Sequence, residues 1–92
     1  MYSLDPTPKE IAKQLATRHK VLRKQLKFSQ AEMAERSGVS LGSLKRFETT
    51  GQISLDSLLK LARLLNKLDD FKLIFEKEED HTNIEDLFIS KP

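Results

Sequence analysis

The residue types that most often carry catalysis or hold metals are few in this sequence of 92 residues. Because it contains no cysteine, a zinc finger and a disulfide scaffold are excluded. The two histidines, His19 and His81, lie far apart and lack the nearby carboxylates of a metal site, so we expect both on the exposed surface. The acidic run at residues 76–80 is typical of a solvated linker and not of paired catalytic carboxylates.

Longer catalytic motifs are missing too. No glycine-rich phosphate loop and no nucleophile elbow occurs. We therefore predict that the protein is not an enzyme and uses no cofactor or metal. The lack of cysteine, of a signal-peptide pattern and of an apolar run near about eighteen residues predicts a cytoplasmic location.

Positive charge is concentrated in the first part of the chain. Residues 1–27 carry seven Lys or Arg against two acids, whereas residues 76–92 carry two against six. The net charge of the whole chain is only +2. A basic body with an acidic tail fits a nucleic-acid partner, although lysine-rich helices are also common as plain solvated faces.

Capping signals divide the body into short helices. Thr7 and Glu10 form a capping box that starts helix 1, which we expect from Pro8 to about Leu26. Ser29 and Glu32 form a second box, starting a helix 2 that spans residues 30–37. Gly38 follows, where a left-handed residue would end that helix.

Three further N-cap residues are predicted for the remaining helices of the domain. Ser40 is predicted to cap helix 3, which runs to about Thr49, and Ser54 to cap a leucine-rich helix 4. Asp69 is predicted to cap a short helix 5. With no sustained alternation of apolar and polar residues, we predict an all-α fold of five helices. Residues 1–75 form the domain and residues 76–92 an acidic linker with an apolar tail.

Helices 2 and 3 have the layout of a helix-turn-helix unit. Ala34 is small where the two helices must approach, Gly38 permits the sharp turn, and Val39, Leu44 and Phe47 point inward. By itself such a pair of helices can also be plain architecture without a nucleic-acid partner.

The run LRKQLKFSQAEMAERSGVSLGSLKRFETTGQISLDSLLKLARLL, residues 22–65, resembles the DNA-binding domain of the Cro and lambda-repressor (Xre-type) family. The resemblance covers about half the chain. Its parts occur in the family's order: Arg23, Ser29-Gln30, Ala34, Gly38-Val39-Ser40, Leu44, Phe47-Glu48, Gly51 and Leu61-Ala62. It implies a repressor-like domain that binds double-stranded DNA with specificity for sequence.

The resemblance also implies roles for individual residues. The start of helix 3 faces the major groove, with a further contact one turn later, which makes Leu41, Gly42 and Arg46 the base-reading candidates. The positioning residues, which would meet phosphates, are Gln30, Ser40, Ser43, Lys45, Thr49 and Thr50; Gln52 follows in the loop. Arg23 and Glu48 are expected to form a structural ion pair between helices.

Leu41 and Gly42 depart from the family's pattern, which commonly has polar residues such as Gln there. Leu41 can offer only an apolar contact, for which the thymine methyl is the natural partner, while Gly42 lets the helix approach closely. The alternative is that Leu41 packs under helix 2 and Gly42 is a neutral filler. Arg46 is the leading reader, of guanine, with a phosphate contact as its alternative.

Apolar residues in the C-terminal part of the chain indicate a protein partner. Helix 4 and helix 5 supply a candidate homodimer interface, which consists of Leu65, Leu68, Phe71, Ile74 and Phe75. A dimer would bring two recognition helices to successive major grooves. The tail HTNIEDLFISKP is apolar enough to fold back, to cross to a second subunit, or to dock on another protein. The layout also resembles Hip-type antitoxins. We therefore predict a dimeric repressor, with an antitoxin-like module that binds a toxin through its tail as the alternative.

Overall fold

The computed structural model describes residues 5–77. Expectations for His81 and for the tail at residues 82–92 lie outside this part of the chain. The described residues contain no strand and form four α-helices followed by a 3-10 helix: α1 (Pro8–Gln25), α2 (Gln30–Ser37), α3 (Leu41–Thr50), α4 (Leu55–Leu64) and the 3-10 helix (Leu68–Leu73). The all-α, five-helix fold predicted from the sequence is confirmed.

Each α-helix begins at a hydroxyl side chain that accepts the backbone N–H three residues later: Thr7, Ser29, Ser40 and Ser54. At Thr7 the capping box is complete, because Glu10 Oε1 also accepts the Thr7 N–H at 2.7 Å. At Ser29 only half of the predicted box forms. The Glu32 carboxylate accepts a hydrogen bond from Arg36 at 3.2 Å instead, one helical turn away.

Two of these helices end at glycines with left-handed backbone. Gly38 ends α2 with φ 83° and Gly51 ends α3 with φ 85°. At Gly51 space matters as well, since a Cβ there would lie 2.9 Å from the backbone carbonyl carbon of Ala12. The end of α3 therefore rests directly on the backbone of α1, which fixes the distance between these helices.

The core lies where the four α-helices meet. Its largest fully buried side chains are Met33 from α2, Leu44 and Phe47 from α3, and Leu61 from α4. Ala16 supplies a small contact from α1. Leu44 and Phe47 lie three residues apart on α3, so one stripe of that helix faces the core and the opposite stripe is left outside.

The fifth helix differs from its prediction. It is a 3-10 helix with Lys67 at the N-cap position and no side-chain cap, so the assignment of Asp69 as the cap is wrong. The chain turns at Asn66, which has φ 61°, and the Lys67 N–H donates to the Ala62 carbonyl at 2.8 Å. This turn starts the new helix early enough to leave Asp69 inside it.

Candidate nucleic-acid interface

The outer face of α3 is open along its length. Ser43, Lys45, Arg46 and Thr49 are exposed, as is the N-cap Ser40. Leu41, the first residue of the helix, keeps 36% of its surface exposed. The structure thus presents Leu41 to the outside, although its assignment to base reading stays a prediction.

Gly42 stands on the same face without a structural reason to be glycine. Its backbone is helical, and a Cβ built on it would meet no atom within 4 Å. An alanine would therefore fit, and would favour the helix more strongly. The packing of the chain therefore does not require a glycine at this position.

Arg46 lies one turn further on. Its Nη2 donates to Gln52 Oε1 at 2.5 Å, and both side chains are exposed. Thr50 is tied to its own helix end: its hydroxyl donates to the Arg46 carbonyl at 2.7 Å and accepts the Gln52 N–H at 3.0 Å. The chain's own bonds thus hold Arg46 and the loop after α3 in one arrangement.

At the start of α3 the two serines are bonded to each other. Ser40 Oγ accepts the Ser43 N–H at 3.1 Å and donates to Ser43 Oγ at 2.9 Å. They fix the first turn of the helix and lie on the exposed surface. The N-terminus of α3, with its backbone N–H groups, is also the end of a helix that favours anions such as phosphate.

Behind the open face lies a buried polar cluster centred on Glu48. Arg23 Nε donates to Glu48 Oε2 at 2.8 Å, and Nη2 donates to Oε1 at 2.9 Å. Gln30 Nε2 donates to Oε1 at 3.0 Å. Arg23 Nη1 also donates to the Phe28 carbonyl at 2.7 Å. Glu48 of α3 is thereby joined to α1, to the first residue of α2 and to the loop between them.

His19 completes this cluster, and its expected place on the exposed surface is wrong. Only 5% of its surface is exposed, and its Nδ1 lies 2.7 Å from Glu48 Oε2. The ring packs edge-on against Phe47, with centroids 5.5 Å apart. The reason lies in helical periodicity: His19 follows Leu15 by four residues and precedes Arg23 by four, so it shares their inward-facing stripe.

The cluster shifts the pKa values of its members. Burial lowers the pKa of His19 below its ordinary value, and this effect exceeds the opposing influence of Glu48. Burial alone would raise the pKa of Glu48, but hydrogen bonds from Arg23, Gln30 and His19 overcome it and lower the value. In the neutral tautomer that carries its proton on Nδ1, the imidazole donates to the Glu48 carboxylate. Within residues 5–77, Nε2 of this ring is buried without a hydrogen-bond partner.

Gln30 has a structural bond that the sequence did not indicate. One N–H of its amide is held by Glu48, 18 residues away, and its side chain is partly buried. Its predicted contact with a phosphate stays a prediction. Among the described residues no group of acidic or histidine side chains is arranged to hold a metal ion.

The fold and the open face together define a helix-turn-helix domain: α2 and α3 joined by a turn at Gly38, with α3 outermost. A helix-turn-helix family of the Cro/C1 (Xre) type matches residues 20–71, which is more than half of the chain. The protein belongs to this family of DNA-binding transcription regulators. We found no significant match to it among curated proteins or solved structures.

The residues proposed for dimerisation follow the core part of α4 in the sequence, and all retain exposed surface. Phe75 is fully exposed, Ile74 is 53% exposed and Leu68 is 39% exposed. Leu65 and Phe71 are half-buried. Over residues 5–77, no helix combines the length and apolar character needed to span a membrane.

Proposed function

We propose that the protein is a sequence-specific double-stranded DNA-binding regulator that inserts α3 into the major groove. The observation that carries this proposal is the division of α3 itself. Leu44, Phe47 and Glu48 are fixed in the interior, while the residues between them, Lys45 and Arg46, remain outside. Such a helix can lie in a groove without any change in its own packing.

Within this proposal three residues read bases. Arg46 would exchange its bond with Gln52 for two hydrogen bonds to a guanine, at O6 and N7. Leu41 would contact a thymine methyl, and Gly42 would allow close approach. Contacts to phosphates carry no sequence information but would fix the position of the protein on the duplex. The residues proposed to make them are Gln30, Ser40, Ser43, Lys45 and Thr49. The hydroxyl of Thr50 is already bonded within the chain, which leaves it the weakest of the positioning candidates.

A homodimer suits this role because one short helix reads only a few base pairs. Two copies related by a twofold axis would place two recognition helices one helical turn of DNA apart. The exposed apolar residues after α4, including Leu68 and Phe75, support such a contact. We propose that the dimer acts as a repressor by covering its site.

Binding to DNA at several salt concentrations tests the proposal. The logarithm of affinity should fall steeply and linearly with the logarithm of salt concentration. Arg46→Ala should weaken the preferred site by about 1–3 kcal/mol, and random DNA by less. Arg63→Ala is the matched control, because it removes the same charge from an exposed position of α4.

Failure of the native chain to prefer any sequence would contradict the proposal. It would favour the second candidate, an antitoxin-like module that binds a toxin protein. The exposed side chains of Leu73, Ile74 and Phe75 are the observation that supports a protein partner. The dimer is tested separately by its mass in solution, and a monomer at micromolar concentration would overturn it.

A further inference from the structure

A groove runs between α1, α4 and the 3-10 helix, on a side of the domain that α2 does not line. It has a volume of about 700 Å³. Its walls are almost wholly apolar and include Leu15 and Leu22 of α1, Leu58 and Leu65 of α4, and Phe71 of the 3-10 helix. The proposed DNA contacts do not line this groove, whereas Leu65, Phe71 and Ile74 of the proposed dimer interface do.

Several large side chains along the groove are left exposed. Ile11 is 40% exposed, Val21 is 49% exposed and Ile74 is 53% exposed, and all three line it. Scattered apolar residues are common on protein surfaces, but a continuous set in a concave site marks a place where something binds. We therefore expect an apolar ligand or chain segment to occupy the groove.

The chain carries a matching segment beyond the described residues. Residues 84–89, Ile-Glu-Asp-Leu-Phe-Ile, place three large apolar residues at the spacing of one helical face: Ile84, Leu87 and Phe88. Their neighbours Glu85 and Asp86 are acidic, so the segment has an apolar and a charged side. We propose that this segment docks in the groove of its own chain.

The distance along the chain permits this docking. Ile74 is part of the groove, and the described chain ends only three residues later. Residues 78–83 can span up to about 20 Å when extended. The groove-lining part of α1, from Ile11 to Leu22, is about 17 Å long at the rise of an α-helix. The linker is therefore about as long as the part of α1 that lines the groove, so the segment can fold back over it from Ile74.

Charge favours the same occupant. Arg18 and Lys67 line the groove, against one acid, Asp70. Residues 78–92 carry five acidic residues and one lysine. The acidic linker would pass over a basic rim while the apolar side chains enter between the helices.

The chain's own segment has an advantage over the segment of a second copy. A short tether gives an effective concentration in the millimolar range, far above the micromolar concentrations at which such proteins are handled. Docking would cover Leu65, Phe71 and Ile74 of the proposed dimer interface, which line the groove, and would leave Leu68 and Phe75 available. The inference goes beyond DNA binding, and its test does not involve DNA.

Disulfide trapping in the full chain tests the docking, and the absence of native cysteine gives a clean background. One variant combines Val21→Cys, in the groove, with Ser90→Cys, next to the segment. The control variant combines Glu35→Cys, on exposed α2, with the same Ser90→Cys. Under mild oxidation at micromolar protein, the intramolecular disulfide should form at least about tenfold faster in the groove pair.

A third variant adds Leu87→Asp and Phe88→Asp to the groove pair and should reduce its rate to that of the control. Circular dichroism of each variant before oxidation establishes that the domain is folded. Equal rates in the two pairs would overturn the proposal. A disulfide that links two chains and disappears on dilution would overturn it as well, in favour of exchange between subunits.

Discussion

The two sides of α3 use polar side chains in opposite ways. On the inner side, Glu48 is held by three side chains and almost every polar atom of the cluster has a partner. On the outer side, Lys45 and Arg46 are exposed, and Gly42 offers no side chain at all. The difference separates residues that keep the helix in place from residues whose identity the fold does not require.

Under the proposed function, this separation would let one fold read different DNA sequences. A charged pair behind the helix costs desolvation, but it anchors α3 to α1 independently of what stands in front. Replacements on the outer face would then change the proposed recognition of DNA with little effect on folding. The variants below test this comparison, from the largest expected effect on stability to the smallest.

Replacing the centre of the cluster should have the largest effect. Glu48→Ala leaves the Arg23 guanidinium buried without its carboxylate, so the free energy of unfolding should fall by about 3–5 kcal/mol. Urea denaturation followed by circular dichroism measures this. Glu32→Ala removes an exposed ion pair with Arg36 and is the control, with an expected loss of about 0.5 kcal/mol or less. Similar losses in both variants would contradict the comparison.

The imidazole in the cluster should make stability depend on pH. Because burial lowers the pKa of His19 in the folded state, the unfolded chain takes up a proton first as the pH falls below 6.5. The free energy of unfolding should therefore decrease from neutral pH downward, until the folded state is protonated too.

His19→Gln keeps a donor for Glu48 and should flatten this dependence, as measured by urea denaturation at a series of pH values. The native chain, measured in parallel, is the reference. At lower pH, protonation of Glu48, whose pKa is below its ordinary value of 4.5, should destabilise both the native chain and His19→Gln. An unaltered slope in His19→Gln would mean that the imidazole titrates alike in the folded and unfolded states.

Gly42→Ala should act in opposite directions on stability and on binding. The added methyl group meets no atom of the chain and favours the helix, so stability should rise by up to about 1 kcal/mol. If the helix approaches DNA closely at this point, affinity should fall in a titration with labelled DNA. Unchanged affinity would show that Gly42 is a neutral filler.

Leu41→Gln should change stability least, by about 0.5 kcal/mol or less, because the side chain is already partly outside. Selection of preferred sites from a random DNA pool should show a shift at one position, from thymine toward adenine. The native chain, selected in parallel, is the reference. An unchanged preference would place Leu41 among the packing residues instead.

Local signals were sufficient for most of the fold. The caps at Thr7, Ser29, Ser40 and Ser54 depend on neighbours three residues away, so the sequence displays them directly. The N-cap of the 3-10 helix was predicted wrongly because its start depends on a left-handed backbone at Asn66. Asparagine tolerates this conformation, but its presence in a sequence does not predict it.

The cluster could be predicted only in part. The pairing of Arg23 with Glu48 was expected from the family resemblance, and no local spacing indicates it. His19 and Gln30 lie 29 and 18 residues from Glu48, and whether they meet is decided by how the helices cross. One signal was available for His19: it occupies the stripe of α1 that also holds Leu15 and Arg23.

The hydrogen bonds from α1 and α2 to Glu48 affect the entropy change that accompanies binding of a partner. Since the backbone of α3 is ordered when the domain folds, meeting a partner requires only side chains such as Arg46 to lose rotational freedom. A recognition helix that ordered on contact would add a large unfavourable entropy to every encounter. We therefore expect calorimetry to show no signature of coupled folding in α3 when the protein binds, and the helix to act as a preorganised probe.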